Sequence, residues 1–144
     1  MNLFTIRNSL TSGKSIYDLN LRVTFYARVS TDREEQLNSL ENQVNYYEDF
    51  IKNNTNWTFV EGYIDEGITG TSTLKRDSFK RMIRDAKNKK FNLIITKEIS
   101  RFARDTLDSI QYTRKLLEYG VGVLFQYDHI NTFNTDSKLR FHYG

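Results

Sequence analysis

Leu21-Arg22-Val23-Thr24-Phe25-Tyr26-Ala27-Arg28-Val29-Ser30 decides how the rest of the chain is read. Leu21, Val23, Phe25, Ala27 and Val29 alternate with Arg22, Thr24, Tyr26, Arg28 and Ser30, which is the period of a β-strand. Downstream, Leu37, Leu40, Val44, Tyr47 and Ile51 recur at spacings of three and four, as on one face of an amphipathic helix. Thr31 and Glu34 fit a capping box at its start, with Asp32 as a rival cap. Trp57 to Ile64 predicts a second strand, and the Gly- and Thr-rich stretch 65–73 a loop. Phe79, Met82, Ile83 and Ala86 mark a second helix that runs into the polar stretch Lys87 to Lys90. Leu93 to Thr96 is short and apolar, the pattern of a strand buried on both faces. A third helix is expected from about Thr106 to Tyr119, with Leu107, Ile110 and Leu117 inward and Gly120 ending it. Val121 to Tyr127 reads as a fourth strand. The order βαβαβαβ with short connections predicts an α/β domain, a largely parallel central β-sheet flanked by helices.

With 144 residues the chain is long enough for one domain with a real core and too short for two. Its charge is unevenly placed. From Lys75 to Arg104 there are eleven Lys and Arg against three acids, a balance of +8, while the remainder holds ten against fifteen, a balance of −5. A basic middle in an acidic body points to a face that meets a polyanion, although Lys87, Lys89 and Lys90 also fit a solvated helix surface. The absence of cysteine excludes disulfides and Cys-based metal sites, and two histidines, His129 and His142, are a poor basis for a zinc site. No apolar run approaches the roughly 20 residues that span a bilayer, and the first twenty residues lack the apolar stretch of a secretory signal. A cytoplasmic protein is expected.

In sheets of this kind, sites gather where strands end and loops begin. By alternation Tyr26, Arg28 and Ser30 point to one side of the first strand, so a hydroxyl and a guanidinium share its end. The second strand ends at Asp65, with Arg76 beyond the loop; the third runs into Lys97-Glu98-Ile99-Ser100-Arg101-Phe102-Ala103-Arg104. If that last stretch is a helical turn, Arg101 and Arg104 share a face. A single strand-end arginine is usually a surface ion pair, and Lys97 is the weaker case for the same reason. Four arginines converging with a serine, and no histidine base in evidence, call for another explanation. Guanidiniums can favour the alkoxide, grip a phosphodiester through paired hydrogen bonds and neutralise a pentacoordinate transition state. That chemistry requires no metal and no cofactor, and no phosphate-binding loop of the G-x-x-x-x-G-K type is present. Tyr46, Tyr47, Tyr112, Phe125 and Tyr127 fall at helix and strand periods and read as core or interface rather than base-stacking platforms.

Tyr26-Ala27-Arg28-Val29-Ser30-Thr31 resembles the nucleophile motif of the serine site-specific recombinases, the resolvase and invertase family. Ser39-Leu40-Glu41-Asn42-Gln43 is similar to the segment that follows it there. Asp65-Glu66-Gly67-Ile68-Thr69-Gly70 resembles the family's D-x-G-x-S/T-G loop, with Arg76 just beyond, and Ser100-Arg101-Phe102-Ala103-Arg104-Asp105 its second arginine motif. The matches keep the family's order and cover roughly residues 21 to 140. The resemblance implies a resolvase-like catalytic domain in which Ser30 is the nucleophile that becomes joined to a DNA 5′ phosphate. Arg28, Arg76, Arg101 and Arg104 would contact the scissile phosphate, Gln43 would assist, and Asp65 would hold the arginines. Read plainly, Gln43 is also a polar helix position facing solvent and Asp65 a turn-forming aspartate. Double-stranded DNA and further copies of the chain are the implied partners, as dimer and tetramer in the full-length protein.

Ser100 stands where the small resolvases and invertases usually have Asp, and with the twenty preceding residues this looks more like the large serine recombinases that integrate and excise mobile elements. The expected division is an extension over 1–20, the catalytic domain over 21–134, and over 135–144 the start of a linker or long helix. On that division the chain is a fragment, with weak self-association and weak or absent recombination by itself. Two other readings compete. A non-catalytic DNA-binding or assembly module could keep the same fold. A flavodoxin-like receiver or nucleotide domain would place acids or a Gly-rich turn after the first strand, where Arg28 and Ser30 stand here.

Overall fold

A computed structural model of the chain describes residues 1–30, 34–67, 76–98, 102–103 and 106–134, and of residues 29, 30, 34–39, 67 and 106 the backbone alone. Thr31, Asp32 and the side chain of Glu34, the proposed caps, lie outside the described residues, as do residues 68–73 of the stretch expected as a loop and everything from 135 onward; the first three residues of that stretch, 65–67, are strand instead.

The strand that opened the reading is β1 (Leu21–Ser30), and it pairs with three other strands of the sheet. It is followed by α2 (Glu34–Lys52), β2 (Trp57–Phe59), β3 (Tyr63–Gly67), α3 (Asp77–Lys87), β4 (Leu93–Thr96), α4 (Thr106–Glu118), β5 (Gly122–Phe125) and β6 (Ile130–Asn131). The order across the sheet is β2-β1-β4-β5-β6, with β3 also paired to β1. All pairings are parallel except β5 with β6. The predicted α/β architecture with a largely parallel sheet is the one observed.

Two apolar layers cover the two faces. Phe25, Ala27, Leu93, Ile95, Tyr47 and Ile51 belong to one, under α2. Tyr26, Ile94, Val123 and Phe125 belong to the other, with Phe79, Met82 and Ala86 of α3 and Leu116 of α4. Alternation along β1 therefore feeds both cores, which is why Thr24 and Tyr26 are as buried as their apolar neighbours. The structure adds one folded segment and corrects two expectations. Residues before β1 are folded: α1 (Leu3–Thr11) is capped by the Asn2 side chain, which accepts from the Thr5 N–H at 2.8 Å, and a short 3-10 helix follows at Ile16–Asp18. Ile6, Ile16 and Leu19 from this segment enter the core, and the Trp57 indole N–H donates to the Ile16 carbonyl. On α4 the inward residues are Ser109, Thr113 and Leu116; Leu107 is 62% exposed, while Ile110 and Leu117 are half-buried. The Thr113 hydroxyl can face the core because the helix satisfies it locally, Oγ1 donating back to the Ser109 carbonyl at 2.7 Å.

The second correction bears on the site. The expected strand Trp57 to Ile64 is two strands, because three steps along β1, from Val23 to Tyr26, are matched by four along its partner, from Phe59 to Tyr63. This is a bulge with one extra residue. Thr24 Oγ1 donates to the Glu61 carbonyl inside it, and the Phe25 ring lies where a Cβ on Gly62 would stand. Gly62→Ala must push that buried ring aside, and overpacking of this kind costs about 1–3 kcal/mol. The measurement is a urea melt; an unchanged midpoint would show that the ring is not held there.

Candidate active site

The bulge sets which way the end of β3 faces. In the register beyond it Arg28 pairs with Asp65 and Ser30 with Gly67, so Asp65 shares the Tyr26 side of the sheet, under α3. There its carboxylate is buried and receives three hydrogen bonds. The Tyr26 hydroxyl donates to Oδ2 at 2.7 Å, the Phe79 N–H to Oδ2 at 3.1 Å and the Ser78 N–H to Oδ1 at 2.9 Å. The last two belong to the first turn of α3, whose own N-cap residue, Arg76, makes no side-chain capping bond. Asp65 thus caps the helix from a neighbouring strand, a negative charge at the positive end of the dipole. Burial pushes the Tyr26 phenol well above its ordinary range, and its bond to Asp65 adds to this while Arg76 opposes it. Tyr26 therefore stays a proton donor to Asp65 at neutral pH.

Arg76, released from capping, turns inward. Its guanidinium carbon sits 3.7 Å from the centroid of the Phe79 ring and 5.7 Å from that of Tyr26, and one terminal nitrogen donates to the Phe102 carbonyl. Its Nε is buried with no hydrogen-bond partner among the described residues. A buried guanidinium N–H left open in this way is a costly feature unless an anion completes it.

Phe102 and Ala103, the described residues between Arg101 and Arg104, are buried in this cluster. The Phe102 ring packs edge-on against Phe79 at 5.1 Å, Phe125 at 5.5 Å and Tyr26 at 6.4 Å. Of the residues expected at the site, the fold brings Arg28, Asp65 and Arg76 to one end of β1 and its partner, with the Ser30 backbone beside them. Arg28 is half-buried and Gln43 half-buried on α2, the helix over the opposite face of β1. Arg101 and Arg104 and the Ser30 side chain lie outside the described residues. Sequence reasoning missed Tyr26 and Phe102 as members of the site. Their signals were present: an aromatic with a hydroxyl at an inward position two residues before Arg28, and an aromatic flanked by arginines.

A second buried pair of the same type marks what is structural. The Tyr63 hydroxyl donates to Asp85 Oδ2 at 2.6 Å, with Lys90 at 3.3 Å and Arg81 at 3.7 Å from the carboxylate. Burial raises the Asp85 pKa, but the Tyr63 hydroxyl, Lys90 and Arg81 outweigh it and hold the carboxyl below its usual value. Its cations are thereby consumed, unlike Arg76. No described helix is long and apolar enough to cross a membrane.

Residues 23–143 match the family described as Resolvase, N terminal domain. A resolvase family site-specific recombinase from Streptococcus pneumoniae is 30% identical with a TM-score of 0.69, over 81% of this chain and 79% of that one. The N-terminal catalytic domain of TP901-1 integrase is 23% identical with a TM-score of 0.52, over 77% and 81%. The C-terminal catalytic domain of ISC1926 TnpA, an IS607-like serine recombinase, is 21% identical with a TM-score of 0.61, over 74% and 70%. The last two likenesses concern the fold alone. No curated protein matches the chain. The match over 23–143 takes in the whole sheet from Val23 of β1 onward, and with it every residue of the cluster around Asp65: the chain belongs to the resolvase family of serine recombinases and carries its catalytic domain.

Proposed function

We propose that the protein is a site-specific DNA recombinase in which Ser30 Oγ attacks the scissile phosphodiester. A bond forms from Oγ to phosphorus, the bond from phosphorus to the 3′ oxygen breaks, and that oxygen leaves as a hydroxyl with a proton equivalent to the one lost by the serine. The 5′ phosphate is held as a phosphoserine. After strand exchange a 3′ hydroxyl attacks phosphorus, Oγ leaves, and Ser30 is restored. The bond energy stays in the protein–DNA link, so the scheme calls for neither ATP nor metal. Arg28, Arg76, Arg101 and Arg104 hold the phosphate and its developing charge, Gln43 assists, and Asp65 fixes the turn that presents Arg76. Integration or excision of a mobile element is the role we assign to it.

The observation that supports this reading best is the buried, open Nε of half-buried Arg76, the N-cap residue of the helix whose first turn Asp65 caps from the strand paired with the Arg28 and Ser30 end of β1. A rival nucleophile close by, Tyr26, is fully buried with its hydroxyl committed to Asp65. The test is to express the full-length protein in cells, trap covalent protein–DNA complexes, sequence the DNA and map the linked residue by mass spectrometry. A 5′ phosphate on Ser30 at one short recurring sequence is expected. A tyrosine link would overturn the mechanism, and bound DNA with no adduct would make the chain a non-catalytic module.

A further inference from the structure

Beyond Arg76, α3 carries Lys80, Arg84 and Lys87 on the side turned away from Phe79, Met82 and Ala86. The spacings of four and three keep them in one stripe, and all three are exposed. None has an ion pair or hydrogen-bonded side chain among the described residues. The neighbouring cations differ. Arg81 pairs with Glu61 at 3.2 Å and reaches Asp85 at 3.7 Å, Lys90 reaches Asp85 at 3.3 Å, and Lys89 Nζ donates to the Tyr119 carbonyl at 2.6 Å. Local acids are used up by Arg81 and Lys90, which leaves the outer stripe uncompensated except by Asp77 at the helix start. Beside it α4, held against α3 by the Phe79 and Tyr112 rings at 4.9 Å, exposes Arg114 and Lys115.

We infer that this outward face of α3 is a second DNA contact, a track for backbone phosphates of the duplex that flanks the bond to be cut. The inference rests on the reading that the protein acts on DNA, and adds to it a surface outside the catalytic cluster. Lys80 and Lys87 are seven residues apart, about 10.5 Å of helix, close to the ~12 Å width of a B-DNA major groove. Cations at that separation can meet phosphates on both lips of the groove without entering it. Such contacts carry no sequence information, and they release counterions, which gives them a measurable signature.

The test combines Lys80→Gln, Arg84→Gln and Lys87→Gln and follows binding to a fluorescein-labelled duplex of about 30 base pairs by anisotropy over a range of salt concentrations. With three phosphate contacts removed, the slope of log affinity against log salt should become shallower by about 2.7. The charge-keeping triple Lys80→Arg, Arg84→Lys, Lys87→Arg should restore it, and Lys14→Gln with Lys52→Gln should leave it unchanged. An unaltered slope in the glutamine triple, or no recovery in the charge-keeping one, overturns the track. Covalent trapping on the same variants separates the two readings. An adduct on Ser30 with an unaltered slope removes the track alone; a shallower slope with no adduct keeps the track and removes the recombination scheme.

Discussion

Replacing Arg76 with alanine in the full-length protein is expected to slow DNA cleavage by about 10²–10³-fold, the usual effect of removing one preorganised donor from a transition state. The expectation follows from where the guanidinium is held. It is stacked on Phe79, tied to the Phe102 carbonyl, and presents a buried Nε with no partner among the described residues. A donor fixed before substrate arrives pays no reorganisation when charge builds on the phosphate. Arg76→Lys should rescue little, because an ammonium cannot stack on the ring, bond Phe102 and present a second N–H at once. Single-turnover cleavage of the DNA recovered by covalent trapping is the assay. Rates within about threefold of the parent, in a variant that melts normally, would mean Arg76 does not act on the transition state.

Asp65→Ala should be the most destabilising of the polar substitutions near the site. It strips partners from the Tyr26 hydroxyl and from the Ser78 and Phe79 amides, at a position only 4% exposed. Buried donors left unmet cost about 1–3 kcal/mol each, and partial access of the helix end to water softens the sum to about 3 kcal/mol. For a domain of this size that is a fall of about 6–12 °C in melting midpoint. Asp65→Asn keeps one oxygen acceptor and should lose roughly half as much; Tyr26→Phe leaves both amides capped and should lose about 1 kcal/mol. Thermal melts of the three variants should rank in that order. A melting midpoint for Asp65→Ala within about 2 °C of the parent would show that the carboxylate does not hold α3 to β3.

Much of this was legible in the chain. The alternation from Leu21 to Ser30 and the helical spacings from Leu40 to Ile51 and from Phe79 to Ala86 are local patterns, and local patterns survive folding when burial agrees with them. Arg28 and Asp65 were legible as strand-end residues for the same reason, and the structure pairs them across β1 and β3; Arg101 and Arg104 lie outside the described residues. The α4 face was misread because Ser109 and Thr113 look polar, although both are buried and the Thr113 hydroxyl bonds within the helix. The α1 helix was passed over although Leu3, Ile6 and Leu10 have helical spacing, since a nine-residue segment depends on the core it docks against rather than on its own propensity.

By itself the sequence determined the class of fold, the family and the residue types at the strand ends. Only the tertiary structure decided which face Asp65 occupies. Alternation carried unbroken from Trp57 and Phe59 would have turned Asp65 toward α2, away from Tyr26 and Arg76. The extra residue between Phe59 and Tyr63 reverses that, and it exists because the Phe25 ring needs the space over Gly62 while Thr24 bonds the Glu61 carbonyl. The register of paired strands is a sum over contacts between segments some forty residues apart, and no window along the chain contains both sides of that sum.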